Sequence, residues 1–133
     1  MIIDSSALIA ILKRESEWEA LSEALDASKS SKMSAASFLE TSIVVDSWKN
    51  PVFSREWDEL VERFSIHIEP VTESQARIAR QAYRDFGRGS GHPANLNFGD
   101  CFTYALAREK HESVLWKGDD FGHTDLRPAI QQS

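Results

Sequence analysis

Four short apolar runs alternate along this chain with longer stretches of helical periodicity, and this alternation constrains the fold most. The runs are Met1-Ile2-Ile3-Asp4, Lys32-Met33-Ser34, Ser65-Ile66-His67-Ile68-Glu69 and Ser113-Val114-Leu115-Trp116. Each is too brief for a helix and reads as a strand. Between them the spacing predicts helices over Ala7–Lys13, Glu15–Ala27, Ala35–Trp48 and Phe53–Phe64, one up to Phe86, and a last one ending near Lys110. Ser5-Ser6 and Ser34 are placed to cap the first and third, and Thr72 with Gln75 forms a capping-box pattern for the helix that ends at Phe86. Strands that alternate with helices form a parallel sheet with helices on both faces. The expectation is an α/β fold, a single domain over residues 1–133, with a short parallel central sheet.

The chain has 133 residues, 41% apolar and 27% charged, which suits an ordinary globular protein with one core. No apolar run approaches the ~20 residues of a membrane span. Met1 leads straight into Ile2-Ile3-Asp4 without a basic segment, so no signal peptide is expected. Cys101 is the lone cysteine, on an apolar helix face, and reads as a packing residue in a reducing, cytoplasmic setting. The net charge of −6 argues against a broad electrostatic grip on nucleic acid. It leaves room for an acidic cluster whose bound cation supplies the positive charge a phosphate needs.

The acidic residues carry the chemistry. Asp100 opens the apolar stretch Cys101-Phe102-Thr103-Tyr104-Ala105-Leu106-Ala107 and sits in the first turn of a helix that must be largely buried. An Asp there can serve merely as a cap. Asp4 ends the first strand, where open α/β sheets bind ligands. Asp119 and Asp120 follow the last strand, and Glu40 lies on the second turn of the helix after Ser34. One sheet edge would collect all of them. Four carboxylates packed together repel one another unless a divalent cation neutralises them. An all-oxygen set suits Mg²⁺ or Mn²⁺ rather than zinc, and the four His and one Cys form no spaced zinc set.

A carboxylate-held Mg²⁺ can activate water and stabilise charge on a phosphoryl oxygen. Two ions ~3.5–4 Å apart can clamp both oxygens of an in-line displacement. Phosphodiester hydrolysis follows as the inferred reaction. A haloacid-dehalogenase-type phosphatase needs Asp-x-Asp after its first strand, where this chain has Asp4-Ser5-Ser6. A response-regulator receiver needs an Asp ending a middle strand, and none follows Ser34 or Ile68. The glycine-rich segment from Gly87 to Asn97 neither follows a strand nor opens a helix directly, so it is not a phosphate-binding fingerprint. It reads as a mobile loop in which Arg88 and His92 could touch a phosphate backbone.

Four ordered blocks resemble PIN-domain proteins, specifically the VapC toxins of bacterial type II toxin–antitoxin pairs. They are Met1 to Leu8, Ser34 to Glu40, Gly91 to Cys101, and Lys117 to Phe121 with Thr124-Asp125-Leu126. The resemblance implies a PIN-like fold and a Mg²⁺-dependent endoribonuclease, with Mn²⁺ able to substitute. It implies that Asp4 and Asp100 hold the metal, that Glu40 orients water or a second ion, and that Ser6 supports the site. Asp119 is favoured over Asp120 as the fourth acid, because Asp120 beside Phe121 could instead cap the next turn. The resemblance also implies an RNA substrate such as a structured transfer RNA, a cognate VapB-type antitoxin whose tail enters the acidic groove, and a homodimer. Dimer contacts are expected on the helices between Ala35 and Phe64. Lys13, Arg14, Arg84 and Arg88 are candidate RNA-backbone contacts. The alternative is a non-catalytic binding module on the same fold, whose acidic groove docks a basic partner.

Overall fold

The computed structural model describes residues 1–130. Its strands are β1 (Ile2–Ile3), β2 (Lys32–Ser34), β3 (His67–Glu69) and β4 (Val114–Leu115). They form one parallel sheet in the order β3-β2-β1-β4. The helices are α1 (Ser5–Leu12), α2 (Trp18–Ala27), α3 (Ala35–Ser47), α4 (Pro51–Arg63), α5 (Glu73–Phe86) and α6 (Phe98–Lys110). A 3₁₀ turn over Asp120–His123 follows β4.

Alternation along the two-residue strands divides the core. Ile2 and Val114 face a cluster built with Ala79, Ala82, Leu96, Leu106, Trp116 and Phe121 from the α5–α6 side. Ile3 and Leu115 face the opposite cluster, with Leu8, Leu21, Met33, Val45, Trp57 and Leu60. Successive strand residues point to opposite faces, so two residues suffice when both faces are covered. Ile2, Ile3, Val114 and Leu115 are all essentially inaccessible.

Several element starts shift from the sequence expectation for identifiable reasons. Asp4, rather than Ser5-Ser6, caps α1 and accepts the Ser6 N–H. Asn50 caps α4, which starts at Pro51, where a missing N–H costs nothing. Ser65 has a left-handed backbone, so the third strand starts only at His67. Thr72 caps α5 through the Gln75 N–H, but the Gln75 amide goes across to Glu109 on α6 instead of completing a box. The glycine-rich loop is tethered rather than free. Across its neck the Arg88 N–H donates to the Leu96 carbonyl and the Leu96 N–H to the Phe86 carbonyl, and Ala94 and Leu96 are fully buried.

Chain order and strand order part company at β1. The chain moves outward from β1 through β2 to β3, then α5 and α6 carry it back to β4 on the other side of β1. The carboxyl ends of β1 and β4 thus flank a topological switch point, where such sheets open a crevice. Leu106 is the buried anchor of α6 beneath it. Leu106→Ala is expected to cost about 2–5 kcal/mol in a urea-denaturation midpoint experiment, by lost burial and a residual cavity.

Candidate active site

Asp4 is the most constrained acid. It is 5% exposed, and three donors converge on its carboxylate. The Thr103 hydroxyl donates to Oδ1 at 2.6 Å, while the Ser6 hydroxyl and N–H donate to Oδ2 at 2.6 and 3.0 Å. The Ser6 oxygen in turn accepts the Lys117 N–H at 3.0 Å, locking the end of β1 to the segment after β4. Thr103 lies within 3.4 Å of the Ser37 hydroxyl, so α3 and α6 meet beneath Asp4 through buried polar groups.

Asp100 is the third residue of α6 and performs its capping role. Its Oδ2 accepts the Asn97 N–H at 3.0 Å, and the Asn97 side chain returns the bond to the Asp100 N–H at 2.9 Å. Capping uses Oδ2 alone. Burial, then the charges of Asp4, Asp120 and Glu40, overcome the lowering effect of the Asn97 bond and push the Asp100 carboxyl up to about 6.

Glu40 projects from the second turn of α3. Its Oε1 accepts the Ser5 hydroxyl at 3.2 Å. Partial burial raises its carboxyl above the ordinary value, the Ser5 bond opposes this, and the Asp4 charge adds to it. The opposite wall is Gly99: a Cβ placed there would stand 2.1 Å from Glu40 Oε2. Glu40 therefore rests against bare backbone one residue before Asp100. Asp119 and Asp120 are both exposed at the start of the 3₁₀ turn. Asp119 precedes the turn and Asp120 opens it, and the Asp120 charge is among those that raise the Asp100 carboxyl.

The fold thus turns Asp4, Glu40 and Asp100 toward the switch point, with Asp119 and Asp120 on the turn that follows β4. None of them forms an ion pair among the described residues. This donor set fits a hard divalent cation, which commonly takes one or two protein carboxylates and keeps several waters. Among the described residues no three acidic, His or Cys side chains close into a ready-made cage. Unpaired like charges stand apart until something neutralises them. Sequence reasoning missed the roles of Ser5, Gly99 and Thr103. Thr103 was findable, since it follows Asp100 by three residues and shares its helix face.

The basic candidates separate here. Lys13 sits over the Trp48 ring and Arg14 over Trp18, so both cations are engaged locally. His92 accepts the Ala94 N–H through Nδ1 and packs edge-on against Phe86. Arg84 and Arg88 instead line an open groove. Cys101 is buried behind Asp100, as packing requires.

Comparison with known proteins agrees with this architecture. The PIN-domain family model matches residues 1–126. Ribonuclease VapC28 of Mycobacterium tuberculosis is 56% identical over 132 residues, covering 99% of each chain. Ribonuclease VapC42 of the same species is 50% identical over 129 residues, covering 97% of this chain and 98% of the relative. Among solved structures, the sarcin-ricin loop cleaving toxin VapC20 of M. tuberculosis superposes with a TM-score of 0.72 at 15% identity, covering 94% of this chain and 95% of that one. A toxin–antitoxin complex from Klebsiella pneumoniae gives 0.67 at 13% identity, covering 90% and 88%. Those two likenesses bear on the fold alone. This chain belongs to the PIN-domain family, in its VapC ribonuclease group, and is an enzyme that cleaves RNA.

The contact between Gly99 and Glu40 yields a direct test. Gly99→Ala adds a Cβ that the Glu40 carboxylate must vacate, at a helix position where Ala is intrinsically better by up to about 1 kcal/mol. RNA cleavage is expected to fall by about tenfold or more while the thermal midpoint holds or rises. A fall in both together would assign Gly99 to packing.

Proposed function

We propose that this ribonuclease hydrolyses RNA phosphodiester bonds at the acidic switch point with a divalent cation, Mg²⁺, for which Mn²⁺ can substitute. The observation that carries this is the placement of the acids: Asp4 stands at the end of β1 with its carboxylate fixed by Ser6 and Thr103, Glu40 rests against Gly99 one residue before Asp100, and among the described residues no cationic side chain pairs with any of the three. Asp4 and Asp100 would hold the ion, with Asp120 completing the acidic ring and Asp119 beside it. When bound, the ion supplies Lewis-acid polarisation and neutralises charge developing on the phosphoryl oxygens.

The chain's own groups divide the remaining work. Thr103 and Ser6 fix the orientation of Asp4, so little reorganisation is needed there. Glu40, with its raised carboxyl and single Ser5 tether, is suited to orient the attacking water and take its proton. The enzyme would act in the cytoplasm as the toxin of a type II pair. The VapC relatives and the structural likeness to a toxin–antitoxin complex support a cognate VapB-type antitoxin as partner. Among the described residues no helix is long and apolar enough to cross a membrane. A homodimer through α3 and α4 is supported by Leu39 and Ile43 on α3, one turn apart and 58% and 59% exposed, and by Val52 on α4, 47% exposed. A structured RNA such as transfer RNA is the proposed substrate class.

Asp100→Asn tests the site. Discrete fragments from total host RNA are expected with wild-type protein and Mg²⁺, none with EDTA, and on the order of 100-fold slower cleavage with the variant. Cleavage unchanged in EDTA or in the variant would refute the proposal.

The Asp100 titration gives a second test. A folded-state value raised from 3.8 to about 6 means that folding favours the protonated form. This stabilisation is complete below the ordinary value and is lost as pH rises through about 6. At pH 7.5 without metal, Asp100→Asn is therefore expected to stabilise the fold by up to about 2 kcal/mol. The gain should vanish near pH 4. In wild-type protein, Mn²⁺ affinity by calorimetry is expected to weaken as pH falls below about 6.

A further inference from the structure

Beside the acidic edge, α5 and the start of α6 enclose an open groove of about 970 Å³, at the upper end of ordinary ligand pockets. One edge carries Arg80, Arg84 and Arg88. The first two lie one helical turn apart on α5, and Arg88 continues the row just past the helix end. None of the three pairs with a carboxylate among the described residues. Among the described residues no acidic side chain lines the groove. The facing side presents Phe98, 78% exposed and propped edge-on by Phe102, while Tyr83, 46% exposed, lines the groove from α5 between Arg80 and Arg84. In a chain of net charge −6 this is a local reversal of sign.

We infer that this groove holds a single-stranded stretch of RNA next to the bond to be cut. Arg80, Arg84 and Arg88 take successive phosphates, and Phe98 stacks an unpaired base. A turn of helix rises roughly 6 Å, so cations at this spacing can meet consecutive phosphates of one strand. Unpaired arginines along a track beside exposed aromatic faces form the combination by which proteins hold single strands. The groove is also continuous with the acidic edge. Phe98 stands two residues before Asp100, and Asn97, which lines the groove, is the residue capped by Asp100. A strand seated here would lead its backbone onto Asp4 and Asp100, while the arginines offset the repulsion the acids exert on it. An acidic peptide would use the arginines but not a stacking face. A second copy of this chain would use the apolar surface, but would have to bury three unpaired cations.

This inference rests on the proposed function, and its test separates the two. The probe is a fluorescein-labelled single-stranded RNA of about 10 nucleotides, a length within the usual range for one binding module. Anisotropy is measured in EDTA, where metal-dependent cleavage does not occur, for wild type, Arg80→Gln, Arg84→Gln, Arg88→Gln, Phe98→Ala, Phe98→Leu and Phe98→Trp. Each arginine replacement is expected to lower the slope of log affinity against log salt by about 0.7. Phe98→Ala and Phe98→Leu should weaken binding about tenfold, and Phe98→Trp should keep it. The varied side chains are exposed, and circular dichroism checks that each variant is folded. Sedimentation of every variant is run alongside. Unchanged affinity and salt slope overturn the inference. So does weaker binding accompanied by dissociation of a dimer, which would make the groove a contact between copies. Wild-type cleavage in Mg²⁺ is scored separately. Cleavage with unaltered binding by the variants refutes the groove alone, and arginine-dependent binding without metal-dependent cleavage refutes the active-site proposal alone.

Discussion

The structure depends on a buried carboxylate. Asp4 is nearly inaccessible, yet three donors from two segments meet it. An unpartnered charge in that position would cost several kcal/mol, so the surrounding elements have to be where they are. Its bond to the Ser6 N–H starts α1, Thr103 sets the rotation of α6, and Ser6 carries the constraint to the backbone after β4. One side chain thereby registers β1, α1, α6 and the β4 exit at the edge where the chemistry is placed.

Charge is sorted across this edge. The acids collect at the switch point and Arg80, Arg84 and Arg88 collect along the neighbouring groove, neither group with partners of opposite charge among the described residues. Elsewhere the charges pair in ordinary ways. Glu112 binds both Lys32 and the chain's amino terminus, Arg77 pairs with Glu73 along α5, and Arg108 with Asp125. Separation into two unpaired fields of opposite sign leaves the fold less stable than local pairing would. It suits a protein whose ligands are a cation and a polyanion.

Much of this was legible in the sequence because strand ends are legible. A short apolar run closed by Asp can be read from Met1-Ile2-Ile3-Asp4 alone, and the order of strands and helices then limits where Asp4, Asp100 and the Asp119-Asp120 pair can meet. Side-chain choices at equal spacing were not legible. Ser5 and Ser6 both look like caps, but Asp4 caps the helix, Ser6 braces Asp4, and Ser5 reaches Glu40. Asp119 and Asp120 differ by one residue in a turn whose direction only the backbone decides. The looseness expected of the glycine-rich loop was overridden by Ala94 and Leu96, two small apolar anchors that its composition hides.

The four acids are held unequally, and this bears on how a cation could be accommodated. Asp4 has both oxygens fixed by hydroxyls. Asp100 commits one oxygen to its helix cap. Glu40 has a single long bond from Ser5 and a backbone wall at Gly99, and Asp120 is exposed. A small hard ion demands near-ideal geometry and sheds water reluctantly. A fully rigid acidic cage would stabilise the ion but would strain the ion-free protein with four close charges. A rigid first ligand followed by progressively freer ones avoids this, because the site needs to draw together only when the charge that justifies it is present. The raised Asp100 carboxyl, pushed up chiefly by burial and then by its acidic neighbours, fits that arrangement: a positive charge at the site would relieve the same repulsion that a proton relieves.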